Sequence, residues 1–214
     1  MIIAVDGPTA SGKGTISKQL AKYFALPFLD TGLLYRAVGW TVREQGGDAD
    51  DAADALTACK FDASLLDNPD LRSEMVGGLA SRVSVHPEVR QALDQRQKDF
   101  AYRPAGAVLD GRDIGTVIAP DADAKLFVTA SPEARAVRRH EEMKRRGERA
   151  SFDDILADIL RRDERDQNRA TAPLKPAADA VLLDTTNLTI DAAIQQAIAL
   201  VNAKISSRRN KDPA

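Results

Sequence analysis

The first residues that could do chemistry form a glycine-rich turn after a short apolar run. The turn reads Gly7-Pro8-Thr9-Ala10-Ser11-Gly12-Lys13-Gly14-Thr15, and we call it the phosphate loop. Its glycines allow successive backbone N–H groups to point at phosphate oxygens, the next helix adds its positive dipole end, and Lys13 adds a mobile cation. The sequence therefore predicts a loop that binds the phosphates of a nucleoside triphosphate.

The sequence around the phosphate loop favours this interpretation over an ordinary glycine turn. Residues 1–5 are apolar and rich in β-branched types, as expected of a buried strand. After the loop, an apolar stripe at helical spacing follows at Ile16, Leu20 and Phe24. Gly14 stands where the general pattern has Ser or Thr for magnesium, and Thr15 follows it. We therefore expect Mg²⁺ to enter with the nucleoside triphosphate and to be held through its phosphates, water and Thr15.

Length and composition limit the class of protein. The chain has 214 residues, 43% hydrophobic and 29% charged, with a formal net charge of −2 and one cysteine. This content supports one good core with a smaller appendage. The near balance of charge argues against general polyanion binding, no apolar run is long enough for a bilayer, and the N-terminus starts a strand instead of a signal peptide. We expect a cytoplasmic monomer with no nucleic-acid, membrane or obligate protein partner.

Strand and helix patterns alternate along the chain. This alternation predicts an α/β fold of the P-loop NTPase type, with three layers: a five-stranded parallel sheet between helices. The predicted strands are Ile2 to Val5, Pro27 to Leu29, Ala107 to Leu109, Lys125 to Val128 and Ala180 to Leu183. Each strand ends at or near a polar residue: Asp6, Asp30, Asp110, Thr129 and Asp184. Because ligands bind beyond the carboxyl ends of such strands, these side chains should share one crevice, and its aspartates favour a magnesium-phosphate site.

Two long segments interrupt the alternation. Residues 46–104 exceed what a crossover needs, so we expect them to form a separate insert lobe. The predicted core domain then comprises residues 1–45 and 105–214. Helices are expected in the insert near Ala49 to Ala58 and from about Pro87 to Phe100.

The second interruption, at about residues 135–169, is predicted to be two arginine-rich helices. An inward apolar stripe is predicted at Phe152, Ile155, Leu156, Ile159 and Leu160. At the same spacing the stripe continues into Arg162, Asp166 and Arg169. The helix could emerge into solvent there, with Arg162 paired to Asp166. The alternative is a phosphate site, which the nearby phosphate loop favours because Arg makes planar, bidentate contacts to phosphate.

The surplus of arginine narrows the reaction class. Enzymatic phosphoryl transfer depends on positioning and on neutralising charge, for which Lys13, Mg²⁺ and arginines suffice. An alcohol acceptor would also need a base, whereas a phosphate acceptor is already ionised and needs cationic clamps. The sequence thus favours a phosphorylated acceptor, with Arg36, Arg112 and Arg169 as candidates for the clamp.

Three further motifs resemble the bacterial cytidylate (CMP/dCMP) kinases, which are P-loop nucleoside monophosphate kinases. The motifs are Asp30-Thr31-Gly32-Leu33-Leu34-Tyr35-Arg36, Asp110-Gly111-Arg112-Asp113-Ile114-Gly115-Thr116-Val117 and Asn168-Arg169-Ala170-Thr171-Ala172-Pro173-Leu174. The Gly-Lys-Gly-Thr form of the phosphate loop is the one these kinases use. The similarity runs from that loop almost to the C-terminus and is loosest over residues 46–75, where the insert is shorter than in the longer members.

The resemblance implies direct, in-line transfer of the γ-phosphoryl group of ATP to CMP or dCMP with Mg²⁺. It assigns the acceptor phosphate to Thr31, Arg36, Arg112 and Arg169. It assigns the sugar and the adjoining phosphate path to Arg162 and Asp166, and the cytosine edge to Ser81, Arg90 and Asp113. It implies that the insert lobe of residues 46–104 binds the monophosphate and that residues 135–169 form a lid. The lid arginines that close over the donor would be Arg135, Arg138 and Arg139. The residues implied to act in the transfer itself are Lys13, Arg112, Arg162 and Arg169.

Two other functions stay open from the residues alone. The chain could be a P-loop kinase of another small acceptor, either another nucleoside monophosphate or a shikimate-like alcohol. It could also be a non-enzymatic, nucleotide-dependent switch, although it lacks a suitably placed Asn-Lys-x-Asp guanine motif and its pI is about 5.8. Product from alcohols but not from CMP would favour the first alternative, and salt-sensitive RNA binding without ADP formation would favour the second.

Overall fold

The computed structural model describes residues 1–209 as a parallel sheet between layers of helices. The strands are β1 (Ile2–Asp6), β2 (Phe28–Asp30), β3 (Ala107–Gly111), β4 (Ala124–Thr129) and β5 (Val181–Asp184). All neighbours are parallel, in the order β2-β3-β1-β4-β5. The predicted five-stranded α/β sheet is confirmed. Positions 210–214 of the predicted core domain lie outside the described residues.

Eight α-helices belong to the described part of the chain. They are α1 (Lys13–Tyr23), α2 (Thr31–Glu44), α3 (Ala52–Ala58), α4 (Glu74–Val83), α5 (Pro87–Ala101), α6 (Pro132–Arg145), α7 (Phe152–Asn168) and α8 (Ile190–Arg209). Short 3-10 helices lie at Ala63–Asp67 and Pro69–Arg72, and a π-helical turn lies at Ile114–Ile118. Among these residues, no helix combines the length and the apolar character that crossing a bilayer requires.

The central strand β1 shows why helices cover both faces of the sheet. Side chains alternate along a strand, so Ile3 and Val5 pack on one face in a cluster with residues of α1 and α8. Ala4 points to the other face and packs with the end of α5 and the π-helical turn. Because neither face of β1 meets water, the strand is apolar at successive positions, as is typical of parallel sheets.

The segment of residues 46–104, called the insert below, has its own apolar cluster. Leu34, Val38 and Val42 of α2 pack there against residues of α3, α4 and α5, such as Ala55 and Val83. Helices α3 and α5 correspond to the two helices predicted in the insert, whereas α4 was not predicted from the sequence. Two consecutive glycines, Gly77 and Gly78, lower the helix propensity of α4, so packing against α2 must stabilise it.

Helices α6 and α7, called the lid below, are the two arginine-rich helices expected from the sequence. The prediction that Leu160 faces inward is wrong, because its exposed fraction is 49%. The buried face of α7 instead follows Ile155, Ile159, Arg162 and Asp166. Leu160 lies one residue, or about 100°, away from that face. Burial of Arg162 and Asp166 also contradicts the alternative in which this end of α7 emerges into solvent.

Candidate active site

The phosphate loop joins β1 to α1 and aims the N-terminus of that helix at the crevice. Gly12 precedes the helix at φ 89° and ψ −2°, a left-handed conformation that glycine adopts without strain. Its carbonyl accepts hydrogen bonds from the backbone N–H groups of Thr15 and Ile16, both at 3.1 Å. The loop therefore presents a helix N-terminus whose dipole favours an anion.

Lys13 and Asp110 form a buried pair beneath the loop. Lys13 Nζ lies 3.8 Å from Asp110 Oδ1 and 3.4 Å from the carbonyl oxygen of Pro8. Burial raises the pKa of Asp110 to about 6 and lowers the pKa of Lys13. Asp110 Oδ1 is also buried without a hydrogen-bond partner in the protein. Desolvation thus outweighs the attraction between the two groups, as is common where a site receives a charged ligand.

One cleft beside the phosphate loop contains all nine residues that the resemblance assigned to the acceptor. They are Thr31, Arg36, Ser81, Arg90, Arg112, Asp113, Arg162, Asp166 and Arg169. We call it the acceptor cleft. Its residues come from α2, α4, α5, α7 and the segment after β3, so distant parts of the sequence meet only through the fold.

One end of the acceptor cleft holds a buried Arg–Asp pair. Arg90 donates a hydrogen bond to Asp113, and their exposed fractions are 3% and 5%. Arg169 Nη2 lies 3.5 Å from the other oxygen of Asp113. The Arg90 guanidinium also lies 5.6 Å from the ring centroid of Tyr35. This end therefore carries both donors and acceptors of hydrogen bonds beside an aromatic ring, a combination that suits a nucleobase.

Two residues of this end were not assigned from the sequence. Tyr35 lines the cleft, burial raises its pKa to about 12, and its hydroxyl has no hydrogen-bond partner in the protein. Arg165 donates to Ser81 Oγ at 2.6 Å and so orients a predicted base contact. Tyr35 belongs to the motif of residues 30–36, and its aromatic side chain was a usable signal. Arg165 gave none, because nothing in the sequence distinguishes it from the other two arginines of α7.

The other end of the acceptor cleft concentrates positive charge. Arg112 Nε donates to Asp166 Oδ2 at 2.8 Å. Burial by itself would lower the pKa of Arg112, but the carboxylate of Asp166 raises it above its usual value. Arg36 donates to the carbonyl oxygens of Leu71 and Ser73 at 2.6 and 2.9 Å. Burial and then the nearby Arg139 and Arg162 lower the pKa of Arg36 to about 10. Guanidinium groups held this close to each other favour an anion between them.

A second cleft lies on the other side of the phosphate loop, and we call it the donor cleft. Ala10, Ser11, Gly12 and Thr15 line it together with Arg138 and Arg139 of the lid. Its far wall is apolar and consists of Leu188, Ile190 and Ala193. Arg138 Nη1 donates to Thr185 Oγ1 at 2.9 Å, and Thr185 Oγ1 in turn donates to the carbonyl oxygen of Ser11 at 2.9 Å. The phosphate loop is thereby tied to both the lid and the end of β5.

The remaining predicted site residues lie outside the lining of the donor cleft. Gly7, Pro8, Lys13 and Gly14 form the body of the phosphate loop, and Thr9 lines the acceptor cleft. Arg135 differs from the other lid arginines, because it is 2% exposed and pairs with Asp163 at 2.5 Å while donating to the carbonyl oxygen of Thr9 at 3.3 Å. It therefore braces α6 against α7 and the phosphate loop.

Comparisons with known proteins agree with this arrangement. A family profile described as cytidylate kinase matches residues 3–203. The chain is 55% identical to a cytidylate kinase from Rhodopseudomonas palustris, over 98% of this chain and 99% of that protein. It is 56% identical to one from Xanthobacter autotrophicus, over 97% of this chain and 100% of that protein. A crystal structure of an uncharacterized protein from Eubacterium ventriosum shares the fold, with TM-score 0.55 and 14% identity over 95% of this chain and 99% of that chain.

The profile and the relatives cover both clefts and the phosphate loop. The matched residues 3–203 include every residue that lines the acceptor cleft and the donor cleft. The relatives are also similar over nearly their whole length, so the similarity is not confined to the widespread phosphate loop. The chain belongs to the cytidylate kinase family.

Proposed function

We propose that this chain transfers the γ-phosphoryl group of ATP to CMP or dCMP, which yields ADP and CDP or dCDP. The observation that carries the proposal is the acceptor cleft, in which all nine residues assigned by family resemblance converge next to the phosphate loop. The names of the relatives support the same activity. The buried charges of this cleft favour an ionised acceptor over an alcohol, which would need a base to remove its proton.

The acceptor cleft has a chemical partner for each part of a cytidine monophosphate. Asp113 accepts a hydrogen bond from the exocyclic amino group of cytosine, while Arg90 and Ser81 donate to its ring nitrogen and carbonyl oxygen. Asp166 and Arg162 contact the sugar and the phosphate path. Thr31, Arg36, Arg112 and Arg169 hold the monophosphate.

The donor phosphates lie along the phosphate loop, from Gly7 to Thr15. Backbone N–H groups of the loop and the N-terminus of α1 contact the phosphate oxygens, and Lys13 places its charge on the transferred group. Arg138 and Arg139 contact the same phosphates from the lid, and Arg135 keeps the lid helix aligned. Closure of the lid excludes water and so limits hydrolysis of ATP.

Mg²⁺ is the proposed cofactor, with ATP as co-substrate. Within residues 1–209, no cluster of three or more His, Cys, Asp or Glu side chains is placed to hold a metal ion by itself. Asp110 Oδ1, which is buried beside Lys13 and accepts no hydrogen bond from the described residues, fits a magnesium-phosphate ligand, and Thr15 adds a hydroxyl in the donor cleft. Bound Mg²⁺ neutralises part of the phosphate charge.

Transfer is direct and in line, with no covalent enzyme intermediate. The acceptor oxygen belongs to an ionised phosphate, so the residues of the site act by orientation and charge neutralisation. Arg112, Arg162 and Arg169 offset the repulsion between the two anionic substrates, and Lys13 stabilises the charge of the group in transit. We further propose that the chain works as a cytoplasmic monomer, a role that suits a kinase of free nucleotides with a single cysteine.

A coupled assay of ADP release across the common monophosphates tests this function. CMP and dCMP should give the highest kcat/KM. If the activity belongs to this chain, the Lys13→Met variant, purified in parallel, should release ADP about 10²–10³ times more slowly. Equal or better use of AMP or GMP would overturn the acceptor assignment. Turnover of a shikimate-like alcohol without turnover of CMP would overturn the proposed reaction class.

A further inference from the structure

Glu74 connects the insert to both helices of the lid. It is the first residue of α4, directly after Ser73, whose hydroxyl accepts a hydrogen bond from the N–H group of Val76 and caps that helix. Its carboxylate accepts hydrogen bonds from Arg139 of α6, with Nε at 2.5 Å, and from Nη2 of Arg162 of α7. One side chain therefore bridges three helices from two separate segments of the chain.

This bridge is better shielded than an ordinary surface ion pair. The exposed fractions of the side chains are 26% for Glu74, 15% for Arg139 and 8% for Arg162. Burial would raise the pKa of Glu74, yet the charges of Arg162 and Arg139 hold it below its usual value. Because the charges are partly desolvated and the contacts to both arginines are close, the bridge is more strongly coupled than exposed pairs are.

The two arginines of the bridge serve different clefts. Arg162 lines the acceptor cleft, and Arg139 lines the donor cleft. Glu74 lines neither of these two, but it lies with both arginines around a third, small cavity between them. An anion that engages Arg162 therefore acts on a guanidinium group that already shares a carboxylate with Arg139.

Neighbouring contacts limit how far this part of the insert can move independently. Arg36 of α2 donates a hydrogen bond to the carbonyl oxygen of Ser73. Arg146, just after α6, donates one to the carbonyl oxygen of Arg72 at 2.7 Å. The backbone before Glu74 is thus held by the acceptor side through Arg36 and by the lid through Arg146. A shift of either side displaces the carboxylate.

We propose that Glu74 is a positioning residue that couples occupation of the acceptor cleft to the placement of the lid over the donor cleft. The inference rests on the function proposed above, since it takes the two clefts as the CMP and ATP sites. Such coupling is reciprocal: CMP should tighten the binding of the donor nucleotide by the same factor as the donor tightens CMP. Glu74 touches neither substrate in this scheme and acts through Arg139 and Arg162.

Calorimetry with CMP and ADP tests the coupling, because these two nucleotides occupy both clefts without transfer. Each Kd is measured alone and then with the other nucleotide saturating, for the wild-type chain, Glu74→Gln and Glu142→Gln. Glu142 is the matched control: it lines the donor cleft and pairs with Arg139 at 2.7 Å and Arg146 at 2.5 Å, but it forms no hydrogen bond or ion pair with the described residues of the insert. The Glu142→Gln variant removes one carboxylate partner of Arg139 but leaves the bridge of Glu74 with Arg139 and Arg162 intact.

We expect CMP to tighten ADP binding to the wild-type chain at least about fivefold, the lower end of typical coupling factors. Glu74→Gln should reduce this factor to near one while each separate Kd changes by less than about threefold. Glu142→Gln should keep the factor. Wild-type coupling in Glu74→Gln, or no coupling in the wild-type chain, would overturn the proposal.

A separate outcome would identify failure of the underlying function. If the wild-type chain binds no CMP and releases no ADP in the coupled assay, the cleft assignment is wrong and the proposal falls with it. If Glu74→Gln does not fold, Glu74→Asp carries the test, because it keeps the charge but withdraws it by one methylene. Reduced coupling in Glu74→Asp would support the proposal, and unchanged coupling would overturn it.

Discussion

The acceptor cleft and the donor cleft, the proposed sites of CMP and ATP, differ in the residues that line them. The acceptor cleft is lined by charged side chains that are almost completely buried, such as Arg90, Asp113 and Asp166. The donor cleft is lined by residues of the phosphate loop such as exposed Thr15, by partly or fully exposed charged side chains of α6, and by an apolar wall that includes Ile190 with an exposed fraction of 68%.

This difference indicates where selectivity lies. Buried charges are costly unless a partner of the right chemistry meets them, so the acceptor cleft should reject acceptors that leave Asp113 or Arg90 unpaired. Backbone N–H groups bind any chain of phosphates, and an apolar wall distinguishes poorly between purines. We therefore expect substitutions in the acceptor cleft to change which substrate is used, and those in the donor wall to change only affinity.

Lys13→Met should give the largest effect and tests the part that both clefts share. Loss of the cation beside the transferred group should lower kcat by about 10²–10³, the range seen when one stabilising group is removed. The steady-state rate of ADP release measures kcat, and circular dichroism checks that the variant is folded. Lys18→Met, on an exposed position of the same helix, is the control and should keep activity. A kcat within tenfold of wild type would contradict the role of Lys13.

The Asp113→Ala variant tests whether the acceptor cleft selects the base of the substrate. The variant loses the acceptor for the cytosine amino group, so kcat/KM for CMP should fall by about 10²-fold and the preference for CMP over UMP should narrow. Arg90 is left buried without its partner, which should destabilise the fold by about 3–5 kcal/mol. Asp50→Ala removes a surface carboxylate from Arg82 and should cost less than about 1 kcal/mol. An unchanged base preference would remove Asp113 from the base site.

Asp6 holds the backbone next to Asp113 of the acceptor cleft. Its shifted pKa leads us to expect that the stability of the fold depends on pH. Its carboxylate accepts hydrogen bonds from the N–H groups of Ile114 and Gly115, both at 2.8 Å, next to Asp113. Burial raises the pKa of Asp6 to about 7. Because this value is above that of the unfolded chain, the folded state holds the proton more tightly, and stability falls as pH rises from about 4 through 7.

Asp6→Asn removes that titration. Relative to the wild-type chain, its free energy of unfolding should improve by about 2 kcal/mol between pH 5 and pH 7, as integration over the shifted pKa gives. Urea unfolding at the two pH values measures the change. A difference between the two chains that stays constant with pH would show that Asp6 does not titrate in this range.

Ile190→Ala should give the smallest effect and tests the donor side. Because Ile190 is largely exposed, the shorter side chain should raise KM for ATP by about two- to fivefold and leave kcat unchanged. Leu182→Ala, an exposed apolar residue of β5 that lines neither cleft, is the control. A fall in kcat of tenfold or more would mean that the donor wall, like the acceptor cleft, positions the reacting groups.

The fold could be predicted from local patterns to a large extent. Each predicted strand is present, with boundaries that differ by at most two residues, because apolar β-branched runs followed by an aspartate are strong local signals. The same reasoning placed Leu160 on the wrong side of α7, since a five-residue apolar stripe is wider than the face that the lid buries. Helix α4 gave no such signal, because its glycines hide a helix that tertiary packing stabilises.

The candidate site was predictable only where a residue belongs to a motif. Asp113 and Arg36 stand in motifs that resemble a known family, so their place in the acceptor cleft followed from the sequence. Glu74 and Arg165 belong to no motif, and their importance depends on arginines and serines far away in the chain. Arg135 was expected to contact the donor, yet it pairs with Asp163 and lines neither cleft; its role toward the donor stays a prediction.

The sequence by itself determined the chemistry that is local in the chain. A glycine-rich turn between strand and helix predicts phosphate binding within nine residues, since backbone N–H groups, helix dipole and Lys13 are all neighbours. Tertiary structure decided which charges meet, because burial of Arg90 with Asp113 and of Arg162 with Glu74 joins residues 23 and 88 positions apart. Electrostatic energy depends on distance in space and on access of water, and the folded chain alone sets both.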